Sequence, residues 1–89
     1  MIREPVTIIN KLGLHARASA KLNALAQEFE ARIVMEKDGQ QADAKSIMSI
    51  MMLAASKGTE IWLEVDGPDE EAAFSAIRKL INNRFDEGE

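Results

Sequence analysis

The chain has 89 residues, a formal charge of −4, one histidine and no cysteine. These numbers fit one small domain over residues 1–89 and exclude disulfides, thiolate nucleophiles and cysteine metal sites. A lone histidine also argues against a zinc centre, and the lack of a basic run argues against nucleic acid as a partner.

Residues 1–10 lack the long apolar stretch of a signal peptide, and no run approaches the roughly 20 apolar residues that span a bilayer. The expectation is a soluble cytoplasmic protein without membrane insertion. Residues 2–9 are largely β-branched and apolar and read as a first strand, with Pro5 pointing to an edge or bulged position. After the loop Asn10-Lys11-Leu12-Gly13-Leu14, residues 16–29 place Leu22, Leu25, Ala26 and Phe29 at helical spacing. His15 then falls at the N-terminus of that helix.

Residues 32–37 alternate, Asp38-Gly39 is a hairpin turn, and residues 40–43 return as a short strand. Ser46 precedes the apolar run Ile47, Met48, Ile50, Met51, Met52 and Leu53, a second helix expected to close near Lys57-Gly58. Residues 59–65 set Ile61, Leu63 and Val65 on one face against Glu60, Trp62 and Glu64 on a wet one. Asp66-Gly67-Pro68-Asp69 is turn chemistry, and Asp69 is expected to cap a third helix with Glu70 and Glu71 at the positive end of its dipole. Ala73, Phe74, Ile77, Leu80 and Ile81 stripe that helix, and the acidic end, residues 85–89, is expected to fray. The βαββαβα order predicts an α+β open-faced sandwich, a four-stranded antiparallel sheet covered on one face by three helices.

The chemistry concentrates in Gly13-Leu14-His15-Ala16-Arg17. The first amides of a helix have no intrahelical acceptor, so this helix start is a ready anion site, and its dipole favours the neutral imidazole whose free ring nitrogen can attack phosphorus. Arg17 is close enough to fold back on a phosphoryl oxygen. Spacing alone favours a plainer reading, with His15 a polar cap and Arg17 a solvated side chain. The segment Asn10-Lys11-Leu12-Gly13-Leu14-His15-Ala16-Arg17 nevertheless resembles the active-site segment of the HPr family, the histidine-containing phosphocarriers of the bacterial phosphotransferase system. The resemblance continues through Lys45-Ser46-Ile47-Met48, Lys57-Gly58 and the Gly67 turn, over essentially the whole chain.

That resemblance implies a carrier that takes a phosphoryl group from enzyme I on Nδ1 of His15 and gives it to an EIIA protein or domain, with Arg17 assisting. Such a carrier is a phosphoryl-transfer intermediate rather than an enzyme with its own small-molecule substrate, and it needs no cofactor or metal. The family usually has proline after this arginine, and the position here is Ala18. Alanine is an excellent helix former and donates an amide, so activity is expected to survive the loss of rigidity.

Ser46 reads first as the N-cap of the second helix. In some bacteria HPr-like proteins are phosphorylated on this serine by a dedicated kinase, HPr kinase/phosphorylase, which makes Ser46 a regulatory candidate. A phosphate there is tolerated by the helix start yet repels an acidic partner. Six apolar residues cannot all face inward on two turns, and relatives contact enzyme I here, so Ile47, Met48 and Met51 are assigned to docking. Lys21 and Lys45 read as local positive charge for that docking or simply as solvated lysines. A hydrolase is disfavoured by the lack of a Gly-x-Ser-x-Gly elbow. The alternative to transfer is a non-transferring regulator that uses the same docking surface under control of Ser46 phosphorylation. The motif is shared by the sugar-transport and nitrogen-related branches, and a carrier that must expose its site to two partners is expected to be a monomer.

Overall fold

In the computed structural model, which describes residues 1–87, strand and helix periodicities alternate along the chain as β1 (Ile2–Thr7), α1 (Ala16–Ala26), β2 (Arg32–Lys37), β3 (Gln40–Asp43), α2 (Ile47–Met52), β4 (Glu60–Asp66) and α3 (Glu70–Asn82). A short turn at Arg84–Asp86 follows. The strands form one sheet in the order β1-β4-β2-β3, with every neighbouring pair antiparallel. Pro5 therefore lies in an edge strand, opposite Trp62. An edge tolerates its missing N–H. Asp38 and Gly39 both have positive φ, 51° and 83°, which gives the β2–β3 hairpin a turn of the same twist as its strands.

The helices cover one face of the sheet. Ile33 and Met35 of β2, Ile61, Leu63 and Val65 of β4, Leu22 of α1, Ile50 of α2 and Ile77 and Ile81 of α3 are all fully buried in one core. Each such side chain contributes about 1.5–3 kcal/mol on removal from water. The open face is polar: Arg3 stacks its guanidinium 4.5 Å from the ring centroid of Trp62 and pairs with Glu36 and Glu64.

Element ends depart from the local signals, and in each case a distant residue is responsible. Helix α1 stops at Ala26 rather than residue 29, because the Glu30 and Ala31 amides turn away to donate to the Asp69 carboxylate at 2.9 and 2.8 Å. Asp69 consequently makes no side-chain cap of its own helix. Helix α2 closes at Met52, well before Lys57-Gly58. The lysine that satisfies its end is Lys37 from β2, whose Nζ donates to the Leu53 and Ala54 carbonyls. Strand β1 ends at Thr7, yet Ile8 still pairs with the loop before β4, through its amide to Thr59 and its carbonyl to Gly58.

The largest departure is at the C-terminal end. Phe85 is fully buried in the core, so the expected fraying does not hold for residues 85–87; residues 88–89 lie outside the described residues. Arg84, Phe85 and Asp86 have φ of 56°, 54° and 61°. Three consecutive left-handed residues without glycine cost about 1–2 kcal/mol each. The burial of Phe85 opposes that cost.

Candidate functional site: the start of helix α1

The loop ahead of α1 is held from several sides. Asn10 is fully buried, and its Nδ2 donates to the Gly13 carbonyl at 2.8 Å. Gly13 has φ +64°, and a Cβ on it would lie 2.4 Å from the Ala55 carbonyl oxygen. Only glycine fits that approach. The Leu14 amide donates to the same Ala55 carbonyl at 2.9 Å, and the Ser19 hydroxyl donates to the Leu14 carbonyl at 3.1 Å. These bonds tie the loop to the chain leaving α2, which sets α2 beside it.

His15 is the N-cap of α1, in extended conformation, as the periodicity predicts. Its carbonyl accepts the first intrahelical bond, from the Ser19 amide at 2.8 Å, so the amides of Ala16, Arg17 and Ala18 have no carbonyl behind them in the helix. The His15 side chain makes no cap hydrogen bond to them. The ring turns the other way, placing Nε2 2.6 Å from Oε2 of Glu87. The other oxygen of that carboxylate accepts from Asn10 Nδ2 at 3.2 Å. Glu87 has a side chain only 12 % exposed. Burial alone would raise its pKa, but the hydrogen bonds from Asn10 and His15 and the nearby Lys21 leave it below the usual glutamate value.

Around the ring lies an open cleft of about 490 Å³ lined by Lys11, Leu12, His15, Arg17, Lys21, Asp86 and Glu87. Arg17 stands exposed in the first turn of α1, and among the described residues it has no ion pair. It can swing over the cleft. Lys21 is not a solvated lysine: its Nζ donates to the Phe85 carbonyl at 2.6 Å. Lys45 is tied down in the same manner, to the Phe29 carbonyl at 2.7 Å. The cleft thus carries cationic side chains and open helix amides in a chain that is acidic overall, which suits an anion.

Ser46 caps α2, its Oγ accepting from the Ser49 amide at 3.3 Å. On α2 only Ile50 is buried; Ile47, Met48, Met51 and Met52 are exposed at 40, 69, 38 and 66 %. Leu12, which lines the cleft beside His15, is 66 % exposed as well. Among the described residues no group of His, Asp and Glu could hold a metal ion, and no helix is long and apolar enough to cross a membrane.

The structure adds Glu87 to the loop residue Asn10, to His15 and Arg17 and to the local charge of Lys21; sequence reasoning leaves Glu87 in an acidic end expected to fray. One signal was available: Phe85 continues the Phe74, Ile77, Ile81 spacing, which marks the tail as packed rather than loose.

Comparison with known proteins agrees with the architecture. A family model described as "PTS HPr component phosphorylation site" matches residues 2–83. The phosphocarrier protein HPr of Cupriavidus necator is 58 % identical over 89 residues, covering 100 % of both chains. Among solved structures, HPr-C-His from Thermoanaerobacter tengcongensis superposes with a TM-score of 0.94 at 42 % identity, covering 98 % of each chain. The solution structure of Crh, the Bacillus subtilis catabolite repression HPr, is similar at a TM-score of 0.66 and 38 % identity, covering 90 % of this chain and 95 % of its own.

Proposed function

The chain belongs to the HPr family of the phosphotransferase system, and from that premise we propose that it carries a phosphoryl group on His15, received from phosphorylated enzyme I and passed to an EIIA protein or domain. The observation that carries this reading is the His15 ring itself: it caps α1 without bonding to the helix, and its Nε2 is engaged by Glu87. Nδ1 is then the nitrogen left to act as nucleophile. As the donor's N–P bond breaks, Nδ1 forms the new bond to phosphorus, and the equatorial oxygens gain charge. The Ala16, Arg17 and Ala18 amides and the Arg17 guanidinium answer that charge by hydrogen bonding, so positioning and electrostatics supply the catalysis.

Docking is assigned to Ile47, Met48 and Met51 on α2, whose exposed, flexible side chains suit a carrier that meets two unlike partners in turn. A monomer with modest, readily broken contacts fits that traffic. Similarity to Crh supports a second reading, a regulator that uses this surface without transfer, with Ser46 as its phosphorylation site.

The test is intact mass after incubation with phosphoenolpyruvate, magnesium and enzyme I, with and without brief acid treatment, on the parent and on His15→Ala. One acid-labile phosphoryl group, absent from the variant, is the expected result. A parent left unmodified by demonstrably active enzyme I favours the regulator.

A further inference from the structure

The C-terminal turn is the part of the site that the family match, which ends at residue 83, does not reach. It also holds, among the described residues, the longest run of left-handed backbone, at Arg84, Phe85 and Asp86. Three contacts hold it there: Phe85 is buried in the core, Lys21 Nζ donates to the Phe85 carbonyl at 2.6 Å, and Asn10 Nδ2 donates to Glu87 at 3.2 Å. All three act to present one carboxylate oxygen to one ring nitrogen, Nε2 of His15, at 2.6 Å. A buried amide 77 residues away in sequence thus orients a glutamate of this turn, which ties the turn to the His15 loop.

We propose that Glu87 is a positioning residue for His15, held by the left-handed turn so that its carboxylate keeps the proton on Nε2 and the lone pair on Nδ1. This rests on the carrier reading for its consequence in the reaction, but the contact itself does not. A carboxylate accepts and cannot donate, so the neutral ring beside it carries its hydrogen on Nε2. Nδ1 is thereby the nucleophile before any partner arrives. During transfer the donor nitrogen takes back the electron pair of the breaking N–P bond, Nδ1 spends its lone pair on phosphorus, and the Nε2 proton stays where it is. The ring thus becomes cationic next to Glu87, which stabilises that charge through a charge-assisted hydrogen bond. The carboxylate acts on orientation, tautomer and charge, and touches no phosphoryl oxygen.

The experiment pairs nitrogen NMR with rate measurement on the full chain. In the parent, at a pH where His15 is neutral, the ring ¹⁵N shifts should report a proton on Nε2. Glu87→Ala should move both shifts toward the average of two exchanging tautomers and slow phosphorylation by enzyme I about tenfold, equivalent to ~1.4 kcal/mol. Asp86→Asn removes a charge from the same turn, keeps a residue type that tolerates its left-handed backbone, and should leave the ring shifts at their parental values. Glu87→Gln, which can accept from Nε2 or donate to it, should give a mixed tautomer and an intermediate rate. Parental ring shifts in Glu87→Ala overturn the proposal outright. Altered shifts with a parental rate overturn the role in the reaction. If the parent takes no phosphate from active enzyme I, the carrier reading falls separately, and the ring shifts alone decide whether Glu87 sets the tautomer.

Discussion

Helices α1 and α2 both begin at a polar residue in extended conformation, but the two caps use their side chains in opposite ways. Ser46 accepts from an amide of its own helix, whereas His15 caps with its backbone alone and sends its ring to Glu87. Asp69, ahead of α3, also looks outward, to the Glu30 and Ala31 amides. A cap that closes its helix is structural first. One that leaves the first-turn amides open and points its side chain at a distant partner keeps both available for chemistry. This difference separates His15 from Ser46 more sharply than their residue types do.

The comparison breaks most completely if the tail is released. Phe85→Ala should cost about 3–5 kcal/mol in urea unfolding, as large buried aromatic truncations do. It should also free Glu87 from His15, seen as a change in the ring ¹⁵N shifts at temperatures where the variant is folded. Gly13→Ala comes next: the added Cβ meets the Ala55 carbonyl and the backbone stays left-handed, so about 2 kcal/mol should be lost and the start of α1 displaced. Amide shift changes confined to residues 10–19 and 53–58 would verify the mechanism.

Ser46→Ala and His15→Ala sharpen the contrast directly. Removing the serine hydroxyl strands an amide of α2 and should cost about 1 kcal/mol. The imidazole closes nothing in α1, so His15→Ala should leave that helix start intact, costing only its lost bond to Glu87, about 1 kcal/mol, while abolishing acid-labile phosphorylation. Amide exchange should speed up in the first turn of α2 for Ser46→Ala and stay parental in the first turn of α1 for His15→Ala; equal acceleration in both would erase the distinction. Met48→Asp, on the exposed face of α2, should leave the melting temperature unchanged and weaken enzyme I binding in calorimetry.

The smallest effect expected is in the pH dependence of stability. The Glu30 and Ala31 amides hold Asp69 below the usual aspartate pKa, so the unfolded chain takes up this proton first as pH falls. The stabilisation is fully present above the ordinary aspartate range and is lost as pH drops through the lowered folded value. Glu87 contributes with the same sign. The melting temperature of Asp69→Asn should therefore lie below the parent's at neutral pH and converge on it in acid.

Strand β4 was legible down to which side chains face in, because alternation of Ile61, Leu63 and Val65 with charged residues and a tryptophan is a purely local pattern. The Asp38-Gly39 hairpin and the Ser46 cap were legible for the same reason. The end of α2 was not. Lysine and glycine at 57–58 gave a sound local signal, but Lys37, brought in by the sheet, had already satisfied the last carbonyls. Asp69 likewise carries every mark of a helix cap and serves another loop, because tertiary contact brings the Glu30 and Ala31 amides to within 2.9 and 2.8 Å of its carboxylate.

By itself the sequence determined the order of elements, the apolar faces, and the position of His15 at a helix start, since periodicity, turn residues and caps act over a few neighbouring residues. Only the tertiary structure decided where α1 and α2 stop, which lysines are tethered, and that an acidic tail returns to the histidine. His15 and Glu87 are 72 residues apart in sequence, and a contact at that range is created by the packing of Phe85 into a core that does not exist until the sheet and helices have assembled.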